Sequence, residues 1–205
     1  MNMNGGEKIK LKVIGISYSQ IRSGAYALIL AEENGPYHIP IVIGAAEAQS
    51  IAIVMEHINM PRPLTHDLII SLNKAFGIRL KEVFIYKFED GIFSSELTFD
   101  DGSRQIIIDS RTSDAIAIAM RTNASIYTTR EIIDETGFVM EISNSNTFSL
   151  GNKSDNNDEY NINIENLAIE ELEKILNKHI ELEEYEEAAK ISKIINQKKQ
   201  KSSRE

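Results

Sequence analysis

The sequence predicts a mixed domain of strands and helices over roughly the first 140 residues, followed by a separate helical hairpin. Three observations carry this. Two β-strand patterns flank the turn-rich Glu32 to Pro36, and three more are separated by Asp90-Gly91 and Asp101-Gly102, the signals of a hairpin and a meander. Between and after them lie segments with helical apolar spacing. From about Ser143 to Asn163, Asn, Ser, Asp and Gly dominate and no period survives, as in a flexible linker.

Element by element, Ile9 to Ser17, Ala25 to Leu30 and Tyr37 to Ile43 read as strands, with Pro40 marking an edge or irregular position. Gly44 breaks the third, and Ala45 to Ile58 has a helix pattern with Ala48, Ile51, Ala52 and Met55 on its apolar positions. Met60-Pro61-Arg62-Pro63 is an extended connector, since each proline disfavours helix in the residue before it. Thr65 is the expected cap of a helix that runs to about Phe76 and stops at Gly77. Strands follow at Ile78 to Phe88, Ile92 to Phe99 and Arg104 to Asp109. A helix starts at Thr112 or Ser113 and runs through Arg121, Ile126-Tyr127 forms a short strand, and Thr128-Thr129-Arg130-Glu131 matches a capping box before a last helix ending at Gly137. The division is a domain at 9–140, a polar linker at 141–163 and a helical hairpin at 164–199.

The chain of 205 residues is 42% hydrophobic, enough for a core, and no apolar run approaches the ~18 residues of a membrane span. It starts without the charged and apolar regions of a secretory signal, so a cytoplasmic location is expected. There is no cysteine, which removes disulfides, thiolate zinc sites and a cysteine nucleophile. A net charge of -9 argues against bulk electrostatic coating of nucleic acid, though not against an acidic site that recruits a divalent metal.

Two stretches echo each other. Ile41 to Met55 and Ile106 to Met120 are each an apolar strand, a turn and a helix carrying Ile-Ala-Ile-x-Met. Their turns hold Glu47 and Gln49 in one case, Asp109, Arg111, Ser113 and Asp114 in the other. Helix starts expose unpaired N–H groups that favour anions. The two turns are expected side by side at one sheet edge; the alternative is two buried helices of convergent composition.

Two polar groups could carry chemistry. Pro61 to Asp67 delivers an arginine, Arg62, then His66 and Asp67 at a helix start, suited to phosphate binding and proton transfer. The plainer reading is capping by Thr65, a favourable helix dipole for Asp67 and a solvated His66. In the second group Asp109 ends a strand and Asp114 lies in a helix first turn; with Glu47 they supply oxygen ligands of the kind Mg²⁺ or Mn²⁺ prefers. Its plainer reading is capping plus an Arg111 to Asp salt bridge. No Ser/His/Asp elbow, Walker loop, dinucleotide glycine fingerprint or His-x-x-x-His site is present. His38 and His57 read as structural or exposed.

Ile39 to Gly44, Glu47-Ala-Gln49, Pro61 to Leu68 and Ile108 to Ala119 resemble successive signature blocks of the bifunctional nuclease (DNase/RNase) domain. Thr112 stands where many members of that family have proline. The resemblance covers about Leu11 to Gly137. It implies an α+β fold with a mixed, here largely antiparallel, sheet and packed helices, homo-oligomerisation, and nuclease activity on DNA and RNA. The site roles are read from the residue chemistry at these signature positions rather than carried over from the family: the expected chemistry is metal-assisted phosphodiester hydrolysis, with Glu47, Asp109 and Asp114 holding Mg²⁺ or Mn²⁺. His66 and Asp67 would handle protons, while Arg62, Arg111, Gln49 and Ser113 would contact substrate. The alternative is a non-catalytic regulatory or adaptor protein that binds protein partners or a small anionic ligand.

In the C-terminal hairpin, Leu172, Ile175 and Leu176 form one apolar stripe; Tyr185, Ala188, Ala189, Ile191 and Ile194-Ile195 form the other. Glu184 to Ala189 is similar to the core of the UVR motif of nucleotide-excision-repair proteins, although Ser192 and Lys193 replace its usual arginine and aspartate. That resemblance implies contact with a protein partner. So short a segment buries little core alone, so it should pair with a copy of itself, a partner or the main domain.

Overall fold

The computed structural model describes residues 7–18, 25–139, 147–148, 162–163, 169–181 and 185–202. Strands β1 (Ile9–Tyr18), β2 (Ala25–Glu32) and β3 (Tyr37–Gly44) lead to helices α1 (Ala45–Met55) and α2 (Thr65–Ala75). The meander β4 (Arg79–Glu89), β5 (Ile92–Asp100) and β6 (Gln105–Arg111) comes next. Then come α3 (Thr112–Thr122), β7 (Ser125–Thr128), α4 (Arg130–Thr136) and β8 (Phe138–Val139). Two short strands, β9 (Thr147–Phe148) and β10 (Ile162–Asn163), pair within the segment read as linker, most of which lies outside the described residues. Helices α5 (Ile169–Glu181) and α6 (Tyr185–Ser202) end the described chain.

The expected fold class holds. One sheet runs β6-β5-β4-β7-β1-β2-β3-β8, and every neighbouring pair is antiparallel except β4 with β7. Asp90 and Gly91 both have left-handed φ, 52° and 77°, as a two-residue hairpin turn of the right twist requires. Pro40 sits in β3 opposite Ile29 of β2 and just past the reach of β8, which pairs only with Tyr37 and His38.

Two helix boundaries depart from the sequence reading. α1 stops at Met55 rather than Ile58, because His57 turns left-handed (φ 53°) and Ile58 N–H donates back to the Ile53 carbonyl at 2.9 Å, closing the helix end. At α2 the N-cap position falls on Leu64, so Thr65 is not the cap. The Asp67 carboxylate instead accepts from Leu64 N–H at 2.8 Å. The cap of α4 is Thr129, whose hydroxyl accepts from Ile132 N–H at 3.4 Å.

The sheet has a core on each face. In β2, Leu28 and Leu30 join α1, α2, α3 and α4 in one cluster, while Ala27, Ile29 and Ala31 join Leu172 and Ile175 of α5 and Ile191 and Ile195 of α6 in the other. Along β1, alternation turns Leu11 and Val13 to the first core and Ile14 to the second, and the bulge between Val13 and Gly15 returns Ile16 to the first. Of the three pairings open to the hairpin, the main domain is therefore the one observed. Ala189, counted in the apolar stripe from sequence, is exposed; the stripe turned to the sheet is Ala188, Ile191 and Ile195. His38 is buried beside the Phe138 ring, and His57 is exposed.

Candidate active site

The echoing turns meet, though not at one sheet edge. β3 and β6 lie six positions apart in the strand order, which in a flat sheet means roughly 29 Å. Yet Arg111 Nη1 donates to Glu47 Oε1 at 2.8 Å. The sheet must therefore curl around its helices, bringing the first turns of α1 and α3 together over the concave face. The small residues Ala48, Ala115, Ala117 and Ala119, all buried, let these helices pack closely beneath the sheet.

A chain of polar side chains runs across the three helix starts. Ser50 of α1 lies 2.8 Å from His66 Nδ1, and His66 Nε2 lies 3.2 Å from Asp114 Oδ1. Arg111 Nε donates to the other Asp114 oxygen at 2.8 Å while its Nη1 reaches Glu47. A carboxylate only accepts, so with a neutral ring Nε2 carries the proton and Nδ1 accepts from the Ser50 hydroxyl. Burial works to raise the Asp114 carboxyl, but hydrogen bonds from Arg111 and then His66 outweigh it and hold the pKa below the usual carboxylate value. Asp114 first and Glu47 second keep Arg111 firmly protonated.

These groups form one end of a groove of about 1000 Å³ between the helices and β5–β6. Its walls are largely apolar, with Ile53, Ile69, Leu97, Phe99, Ile106 and Ile108 among them. Gln49 is exposed on the wall of the same groove, whereas Ser113 is half-buried in the first turn of α3 and lies outside the lining. Arg62 is exposed and lines a smaller neighbouring cavity of about 490 Å³, together with Asp67, Ser71 and Arg121.

The residues assigned to metal are not assembled as one donor set. Glu47 and Asp114 are bridged by the arginine. Asp109 borders the groove, but alternation along β6 turns its carboxylate away from Ile108, and it accepts from the Tyr86 hydroxyl at 3.3 Å. Among the described residues no group of three or more acidic or histidine side chains is arranged to hold a metal ion. The Arg111 to Asp114 bridge is the turn salt bridge foreseen as the plainer reading.

Asp67 points away from His66. Its Oδ1 accepts from Arg121 Nε at 2.7 Å, and Arg121 also donates to the Ser50 and Ala117 carbonyls, each at 3.0 Å. Arg121 thus ties α1, α2 and α3 together beneath the His66 chain. Ser50 and Arg121 were not singled out from sequence. The available signal was position: Arg121 follows Asp114 by seven residues, two helical turns on one face. Thr112 is buried and exchanges a hydrogen bond with Ser95 at 2.7 Å, which a proline there could not make.

A curled α+β sheet over helices, with a histidine held between a serine and a carboxylate at the mouth of a groove and an arginine alongside, defines a candidate enzyme of acid–base type. The chain belongs to the bifunctional nuclease domain family, whose model matches residues 28–141. It is also 39% identical over 131 residues to uncharacterized proteins of Mycobacterium tuberculosis strains CDC 1551 and H37Rv, a match spanning 64% of this chain and 77% of each relative. Among the described residues no helix is long and apolar enough to cross a membrane.

Proposed function

We propose that this protein is a nuclease that hydrolyses phosphodiester bonds of DNA and RNA, with His66 as its proton-transfer group. The observation that carries the reading is the Ser50–His66–Asp114 alignment at the groove mouth, with Arg111 beside it, inside the segment matched by the family model. Arg111 offers a planar fork to a phosphate oxygen while its charge is retained. A water oxygen bonds to phosphorus as one ester oxygen leaves. The water's proton passes through the Ser50 hydroxyl to His66 Nδ1 and is then delivered to the leaving oxygen. Asp114 orients the ring and stabilises the imidazolium, the role of the acidic member in Ser-His-Asp sites. The described donor set does not fit a metal, so no step is routed through one.

The test is cleavage of labelled single- and double-stranded DNA and RNA by highly purified chain, with Mg²⁺, with Mn²⁺ and with chelator, beside His66→Ala and Ser50→Ala. Loss of cleavage in both variants, with unchanged melting, supports the assignment. Cleavage equal to wild type in His66→Ala removes it, and no cleavage under any condition favours a regulatory module. For the hairpin, its similarity to the UVR motif supports contact with a protein partner through the face not turned to the sheet.

A further inference from the structure

We propose that the open edge of β6 pairs antiparallel with the same edge of a second copy of this chain, centred on Ile107. The two sheet edges are built differently. The β3 side is blunted by the two-residue β8 and by Pro40. β6, at the other end of the order, pairs with β5 without a register shift and has no partner strand on its outer side among the described residues. It contains no proline, lysine or bulge, and its charged residues, Asp109 and Arg111, stand only at its C-terminal end. Its centre is Ile106-Ile107-Ile108, at 40%, 61% and 48% exposure. Three consecutive exposed β-branched residues on a strand with an open edge are a template for strand addition.

The sequence around Ile107 selects the occupant. With a two-fold axis at that residue, Ile107 meets its own copy and Ile106 meets Ile108 of the second chain. Gln105 then meets Asp109 of the second chain, an amide donor facing a carboxylate. Tyr86 engages only one Asp109 oxygen, leaving the other for this contact. Sliding the axis half a residue toward Ile108 sets Ile106 against Asp109; sliding it one residue back sets Ile108 against Arg104. Both lose an apolar pair and bury a charge against isoleucine. The -9 charge of each chain opposes self-association in general, and the uncharged Ile106–Ile108 centre lets two copies approach at this edge. A two-fold axis perpendicular to the sheet keeps the helix-bearing faces on the same side. Ile106 and Ile108 line the groove, so the second copy extends each groove's floor across the seam.

Sedimentation equilibrium of the full chain at ~20 µM should give twice the 23.1 kDa mass. Ile107→Lys should give the single-chain mass with unchanged circular dichroism and melting, because Ile107 is already exposed. Gln105→Glu should weaken the dimer at least ~10-fold by placing two carboxylates opposite each other, and adding Asp109→Asn should restore it. The chain has no cysteine, so Ile107→Cys supplies a single thiol that should form an inter-chain disulfide on oxidation, since paired strands bring opposed Cα atoms within disulfide range. A wild-type monomer, or an assembly unchanged by Ile107→Lys, would overturn the proposal. A dimer whose Ile107→Cys form fails to cross-link would overturn the register.

Discussion

Two arginine–aspartate pairs stand at the two ends of helix α3, and they differ in almost everything except chemistry. Arg111, at its start, bridges Asp114 and Glu47 with its side chain 67% exposed. Arg121, near its end, holds Asp67 and two backbone carbonyls at 6% exposure. In the first pair water competes with every contact, so the bridge adds little stability and its charge stays available to an anion. In the second, the guanidinium is out of water and tied to three helices, so its removal takes away the contact that joins Asp67 to α1 and α3. One pair belongs to the site and the other to the scaffold beneath it.

The largest effect should fall between the two pairs, on the ring they flank. His66→Ala should lower kcat by ~10²–10⁴-fold, measured on purified protein with labelled substrate, with little change in melting. If it unfolds the chain instead, the division between site and scaffold fails. Arg121→Ala should come next, costing about 1–3 kcal/mol by urea denaturation, because it removes a buried guanidinium that ties three helices together. Arg111→Ala should cost under about 1 kcal/mol by the same measurement while raising the KM for nucleic acid. Equal losses for the two arginines would erase the contrast.

Acid should produce the smallest change. The Asp67 pKa is lowered: burial raises it, but the Leu64 N–H and Arg121 outweigh that effect. Asp114 is lowered in the same way. A depressed folded-state pKa contributes stability that is present above the unfolded value of about 3.8 and lost as pH falls through the folded one. Melting temperature should therefore be insensitive to these groups near neutrality and fall below about pH 4. Asp67→Asn should blunt that acid slope, and a slope unchanged in this variant would show that Asp67 is not held as described. Salt should separate the pairs further, weakening the exposed Arg111 bridge and sparing the buried Arg121 pair.

Much of this was legible because it is local. Strand alternation, the Asp90-Gly91 turn, the stop at Gly77 and the helix start at Thr112 depend on neighbours a few residues apart. The shared pattern of residues 41–55 and 106–120 pointed to two turns that do meet. The site was only partly legible. His66, Arg111, Asp114 and Glu47 come together, but Asp109, Asp67 and Arg62 do not join them. Strand phase decides Asp109: one residue along β6 moves a side chain to the opposite face. Asp67 is decided by Arg121, fifty-four residues away in sequence.

The sequence alone determined strands β1 to β7, helices α1 to α4, their order and the absence of thiol chemistry, because propensity and turn geometry act over a few residues; it did not give the short strands β8, β9 and β10 or the cap of α2. Tertiary structure alone decided that the sheet curls, so that β3 and β6 approach from opposite ends of the strand order. It also decided that the hairpin covers the second face through Leu172, Ile175, Ile191 and Ile195, and that Ser50, His66 and Asp114 align. Each of these depends on long-range packing, where the burial of apolar faces sets which helix starts converge, and no short-range pattern records that choice.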